Sequence, residues 1–177
     1  MTTTATTATH PTYQPTAIAP DALEGLRERD DAGAAPRPYA DDEGGAPLRC
    51  CLRRSRAGER IALVSYAPLR RWAARTGAAP GAYDEVGPVF VHADVCAGPD
   101  PAAGYAFAET GARRVLRRYN ALGHITGGTL VDLPQHPAEA AAAVERALRE
   151  AFAEPDVALV HVRAVEYGCF LYAVGRP

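Results

Sequence analysis

Lysine is missing from this chain: all 19 basic side chains in the 177 residues are arginine, a bias of genome composition rather than of function. Acidic residues number 21, so the net charge is −2 and no basic excess draws the chain to nucleic acid or to an anionic membrane. No apolar run approaches the roughly 20 residues that span a bilayer. The first 20 residues carry neither an arginine nor the apolar core of a secretory signal. The expectation is a cytoplasmic protein whose four cysteines stay reduced. Chemical fingerprints are missing too. There is no Cys-x-x-Cys and no His-Glu-x-x-His, and Gly127-Gly128 has neither the glycine spacing nor the lysine of a phosphate loop. Nothing calls for an organic cofactor, and zinc is the lesser alternative because its ligands would have to come from distant segments.

What is present is an ordinary globular balance, 47% hydrophobic and 23% charged residues, enough for one domain with a real core. Residues 1–20, Thr-rich and punctuated by proline, read as a flexible tail, and residues 21–177 as a single domain. Asp21, with Glu24 three residues on, is placed as a helix cap. Residues 30–47 form an acidic connecting loop. Residues 48–54 and 60–66 flank a turn and have the pattern of a β-hairpin, whose alternation turns Arg49 and Cys51 to one side. Residues 68–75 form a short helix. Gly87-Pro88 opens a strand over residues 89–91 that delivers His92 and, four residues later, Cys96. Residues 112–119 pack four arginines around Val115 and Leu116. Helix and strand both suit them, and the return run at 127–131 favours a hairpin with a bulge at its glycines. Residues 137–154 form the long helix, with Pro at its start and Val144, Leu148 and Phe152 in one apolar stripe. Strands follow over residues 157–163 and 169–174. This pattern predicts an α+β, mainly antiparallel domain: a strongly bent sheet or partial barrel of hairpins with one long helix packed on it.

Three pairs of side chains could carry chemistry. His161 and Arg163 share one strand face, equipped to bind an anion and move a proton, unless that face is solvent or His161 is a satisfied core histidine. Arg49 beside Cys51 favours the thiolate, the nucleophilic form. His92 and Cys96 stand at a spacing a metal could use. Cys50 reads as a small hydrophobe.

Pro47-Leu48-Arg49-Cys50-Cys51-Leu52, Gly58-Glu59-Arg60, Tyr83, Gly87 to His92 with Cys96, Arg118-Tyr119, His161-Val162-Arg163 and Gly168-Cys169-Phe170 occur in that order. Together they resemble a family of bacterial proteins designated domain of unknown function 1203, over roughly residues 47–177. The first block often reads Pro-Cys-Arg-His-Cys-Leu in that family, so Leu48 and Cys50 stand where it has Cys and His. The resemblance implies a compact cytoplasmic domain and no established activity. It also implies that Arg49, Cys51, His92, Cys96, His161, Arg163 and Cys169 belong to one shared site. The function expected first is a small-molecule enzyme without an organic cofactor, acting on a small carboxylate-bearing metabolite. His161 or His92 would be the acid–base and Cys51 the nucleophile, with Arg49, Arg163 and Tyr83 binding substrate and Cys96 and Cys169 as further members. A Cys/His metal-dependent enzyme and a non-catalytic ligand-binding or partner protein are the alternatives, and a homo-oligomer is left open.

Overall fold

The computed structural model describes residues 12–177. The elements are α1 (Pro20–Glu28), β1 (Tyr39–Asp41), β2 (Pro47–Leu48), β3 (Arg53–Arg54), β4 (Glu59–Tyr66), α2 (Pro68–Thr76), β5 (Gly87–His92), β6 (Arg113–Tyr119), β7 (Ile125–Asp132), α3 (Pro137–Ala153), β8 (Leu159–Ala164) and β9 (Phe170–Gly175). The α+β class holds. The single bent sheet or partial barrel does not: the strands form two sheets, neither of them closed. The first has the order β1-β4-β5-β2-β3 and the second β7-β6-β8-β9. After β5 the chain runs through 20 residues without a strand before β6, so it leaves one sheet and starts another instead of extending the first. Helical cover comes from three helices, not from the long one alone.

The second sheet is antiparallel throughout. Its β6–β7 hairpin shifts register at Arg118/Tyr119, opposite Gly127, whose φ of 155° is one that residues with a Cβ rarely adopt. The four arginines of β6 are not a bare basic face, since each has a carboxylate partner: Asp132, Glu109, Glu85 and Glu154 in turn. Against this sheet lies α3, with alanine at 140, 143, 147 and 151 around Val144 and Leu148. The small residues let the helix approach Leu116, Val160, Val162 and Val174 closely. Each of the larger side chains buried there is worth about 1.5–3 kcal/mol.

The first sheet packs one face, with Ala62, Val64, Val89 and Val91, on Leu23 and Leu26 of α1. That helix begins two residues earlier than expected. Ala19 is the cap residue with no side-chain bond, Pro20 takes the first helical position, and Asp21 lies inside the first turn. The chain before it, read as tail up to residue 20, is held on the body from Thr12 onward. Thr16 N–H donates to the Ala173 carbonyl at 2.8 Å on the β9 edge, Tyr13 stacks on Phe152 at 5.2 Å, and Ile18 is buried. The rest of the expected tail, residues 1–11, lies outside the described residues.

The expected hairpin of 48–54 with 60–66 is also corrected. Residues 49–52 form a turn, not a strand, and β2 pairs with its own continuation β3 and, in parallel, with β5. The antiparallel partners of β4 are β1 and β5. Arg49 and Cys51 therefore do not share a strand face.

Candidate metal centre

The parallel step between β2 and β5 decides what meets at the end of the first sheet. Arg49 N–H donates to the Phe90 carbonyl at 2.9 Å, and in the next rung His92 N–H points at the sulfur of Cys50, 3.2 Å away. Leu52 N–H closes the turn on the Leu48 carbonyl at 2.9 Å. Leu52 itself sits at φ 56°, a left-handed conformation that costs a residue with a Cβ about 1–2 kcal/mol. The result is that neighbouring Cys50 and Cys51 both reach His92. Their sulfurs lie 3.3 and 3.8 Å from its Nδ1 and 3.9 Å from each other. Arg27 of α1 holds the chain as it leaves β5, through the carbonyls of His92 and Asp94. Cys96 then completes the group: the three sulfurs and the ring nitrogen all lie within 4.8 Å of one another. Cys50, Cys51 and His92 are buried, and Cys96 is half-buried.

The far side of the imidazole is tied as well. Nε2 lies 3.4 Å from Glu59 Oε2. Arg53 grips both oxygens of that carboxylate at 2.9 and 2.8 Å, and the Arg56 N–H adds a third bond at 2.9 Å. The Arg53 bonds lead in pulling the Glu59 carboxyl down to about 2, so it is ionised at neutral pH. Nε2 faces both Glu59 and the Arg53 guanidinium, 3.3 Å away, and in the tautomer whose Nε2–H donates to the ionised Glu59 the Nδ1 lone pair is turned to the sulfurs.

The thiols are unequal. The bond from Cys50 leads in bringing Cys51 down to about 6, helped by the Arg53 N–H and the His92 and Arg53 charges. The same bond, with burial, pushes Cys50 up. Cys51 is thus readily a thiolate near neutral pH. Three sulfurs and one imidazole nitrogen are a soft donor set of the kind that holds zinc. A tetrahedron with zinc–sulfur bonds of about 2.3 Å and a zinc–nitrogen bond of about 2.0 Å has edges of about 3.8 Å between sulfurs and about 3.5 Å from sulfur to nitrogen. The observed 3.9, 3.3 and 3.8 Å match those edges within a few tenths of an ångström.

The family model described as "Protein of unknown function (DUF1203)" matches residues 45–176, which take in all four of these residues. The chain belongs to that family. Comparison with curated proteins and with solved structures returns no match.

Within the DUF1203 domain the residues expected in one site are distributed over several places. Cys51, His92 and Cys96 come together, and Cys50, read as a hydrophobe, joins them. The sequence held a signal for it: where the resembled family carries His, this chain has Cys, one zinc donor in place of another. Arg49 points away from the cluster, its Nε donating to the Phe170 carbonyl at 2.8 Å, and lines a separate cavity with Cys169. His161 is 1% exposed, wedged between Tyr119 at 4.7 Å and Phe170 at 5.0 Å, and neither ring nitrogen has a hydrogen-bond partner among the described residues. Burial first, then the Arg163 and Arg117 charges, lowers its pKa to about 3. Arg163 pairs with Glu85, which it shares with Arg117. Tyr83 is on the surface, its ring 5.4 Å from that of His124.

Proposed function

We propose that this DUF1203 domain is a zinc-binding protein, with Cys50, Cys51, Cys96 and His92 Nδ1 as the four ligands. The observation that carries the reading is the convergence of four soft donors, from a turn, a strand end and a loop, within 4.8 Å of one another. The groups around the ligands support it. The His92 N–H faces the Cys50 sulfur, and Glu59 meets the imidazole as the carboxylate partner that orients metal-binding histidines. Four protein donors fill a tetrahedral zinc, so the metal would pin the 49–52 turn and the 93–96 segment to the end of β5 rather than activate a water.

A second reading rests on the lowered pKa of Cys51. Without a cation, a thiolate beside His92 and Arg53 is a nucleophile, the role that the enzyme reading assigned to Cys51, there with Arg49 as the activating guanidinium. Elemental analysis of protein purified without added metal separates the two. Near one equivalent of zinc, lost in Cys50→Ser and Cys96→Ser, supports the metal centre. A metal-free protein whose Cys51 is alkylated rapidly at neutral pH, and which takes up no added zinc, overturns it in favour of the thiolate.

A further inference from the structure

A cavity of about 690 Å³ opens where the two sheets meet, on the side of the first sheet away from its buried core. Its walls are apolar: Leu63, Pro88 and Phe90 from β4 and β5, Phe107 from the long loop, and Leu171 from β9. Such a volume holds a small ligand. Three arginines and two glutamates also line it, Arg49, Arg54 and Arg114 against Glu109 and Glu166. The glutamates are already committed. Glu109 pairs with both Arg54 and Arg114, and Glu166 lies 3.9 Å from Arg114.

Arg49 is the remaining charge. It is 2% exposed, as buried as Arg114 at 4%, yet no carboxylate pairs with it among the described residues, and residues 1–11 contain no acidic side chain. Its recorded bonds go to two backbone carbonyls, Phe170 through Nε and Pro47 through Nη1, which are neutral acceptors. A guanidinium has five N–H donors, so these two bonds leave donors for a ligand. A buried charge without a counter-charge is expensive for a fold to keep. Here it lies on the wall of an apolar cavity with a net charge of one positive.

We infer that this cavity binds a small amphiphilic monocarboxylate, its carboxylate on the Arg49 guanidinium and its apolar body against Leu63, Phe90, Phe107 and Leu171. One negative charge balances the lining, and the apolar walls favour a hydrocarbon body over a sugar or a polyanion. The mouth fits this chemistry: Leu63 is 48% exposed and opposes the half-buried Phe90 across the β4–β5 ladder. The site shares no side chain with the Cys/His cluster, so the two proposals stand or fall separately.

Titration calorimetry of the full chain with octanoate, and with neutral octanamide of the same shape, tests the inference, with zinc content measured on the same samples. Octanoate is expected to bind, octanamide to bind at least about 10-fold more weakly, and Arg49→Met to weaken octanoate about 10–100-fold without changing octanamide. Ala164→Phe, which fills the cavity from the second sheet, is expected to abolish binding of both in a folded protein. Octanoate should also slow alkylation of Cys169, which lines the same cavity. Equal binding of octanoate and octanamide, unchanged octanoate binding in Arg49→Met, or no octanoate binding together with no protection of Cys169 would each overturn the inference, whatever the zinc content.

Discussion

His92 and His161 both sit on largely apolar strands, one in each sheet, and their surroundings differ in every respect that matters for chemistry. His92 is at the last residue of β5, where the ladder ends and a loop begins, and both of its nitrogens meet polar atoms. His161 is in mid-strand, paired on both sides by β6 and β9, its ring packs on those of Tyr119 and Phe170, and among the described residues neither nitrogen has a hydrogen-bond partner. A strand end has free space and neighbouring turns that can bring in ligands. A central strand has neighbours that close every approach. Position along the strand, more than residue type, makes one histidine a ligand candidate and the other a core residue.

The sharpest test of that contrast is substitution at His92 itself. His92→Ala should lose zinc and lower stability by several kcal/mol, since structural zinc contributes folding energy directly. Elemental analysis and urea unfolding, with and without a chelator, would check it. A variant that keeps both its zinc and its unfolding midpoint would remove His92 from the ligand set.

The next largest effect concerns His161 and pH. Its folded-state pKa of about 3 lies below the ordinary 6.5, so the unfolded chain takes up the proton first as pH falls. The stability of the neutral, buried form is complete above about pH 6.5 and is lost progressively down to about pH 3, by a few kcal/mol. His161→Leu should flatten that slope relative to the parent chain in the same metal state. At pH 7.5 it should be no less stable, because two unpartnered nitrogens are removed. Unfolding curves at a series of pH values that remain parallel for the two proteins would show that His161 is not held neutral.

The smallest expected effect is at Glu59. Glu59→Gln keeps the shape but removes the charge that faces Nε2, and should weaken zinc affinity about 10–100-fold while leaving the fold intact. Competition with a chromophoric chelator reads this directly. Unchanged affinity would mean that the Arg53–Glu59 pair serves the β3–β4 connection alone.

Much of the second sheet was legible in the sequence, because its signals are local. The β6–β7 hairpin, the bulge at Gly127, the apolar stripe of α3 and the strand runs of β8 and β9 each depend on residues close together in the chain. The first sheet was not legible in the same way. Residues 48–54 alternate like a strand, and the local pattern could not reveal that Leu52 takes a left-handed conformation and breaks the run into β2, a turn and β3. Of the candidate site, the pairing of His92 with Cys96 was legible from their spacing, and the place of Cys51 beside them from the family resemblance. Their union with Cys50, and the separation of Arg49 and Cys169 into a cavity of their own, were not.

By itself the sequence determined the α+β class, the long helix, the β6–β7 hairpin and the types of side chain available for chemistry. Periodicity and turn residues act over a few positions and leave their mark in the chain. Only the tertiary structure decided that the strands divide into two sheets, that β2 runs parallel to β5, and that Cys50 and Cys51 thereby meet His92 across about 40 residues of intervening chain. Pairing between distant strands is settled by burial of whole faces, which no short stretch of sequence encodes.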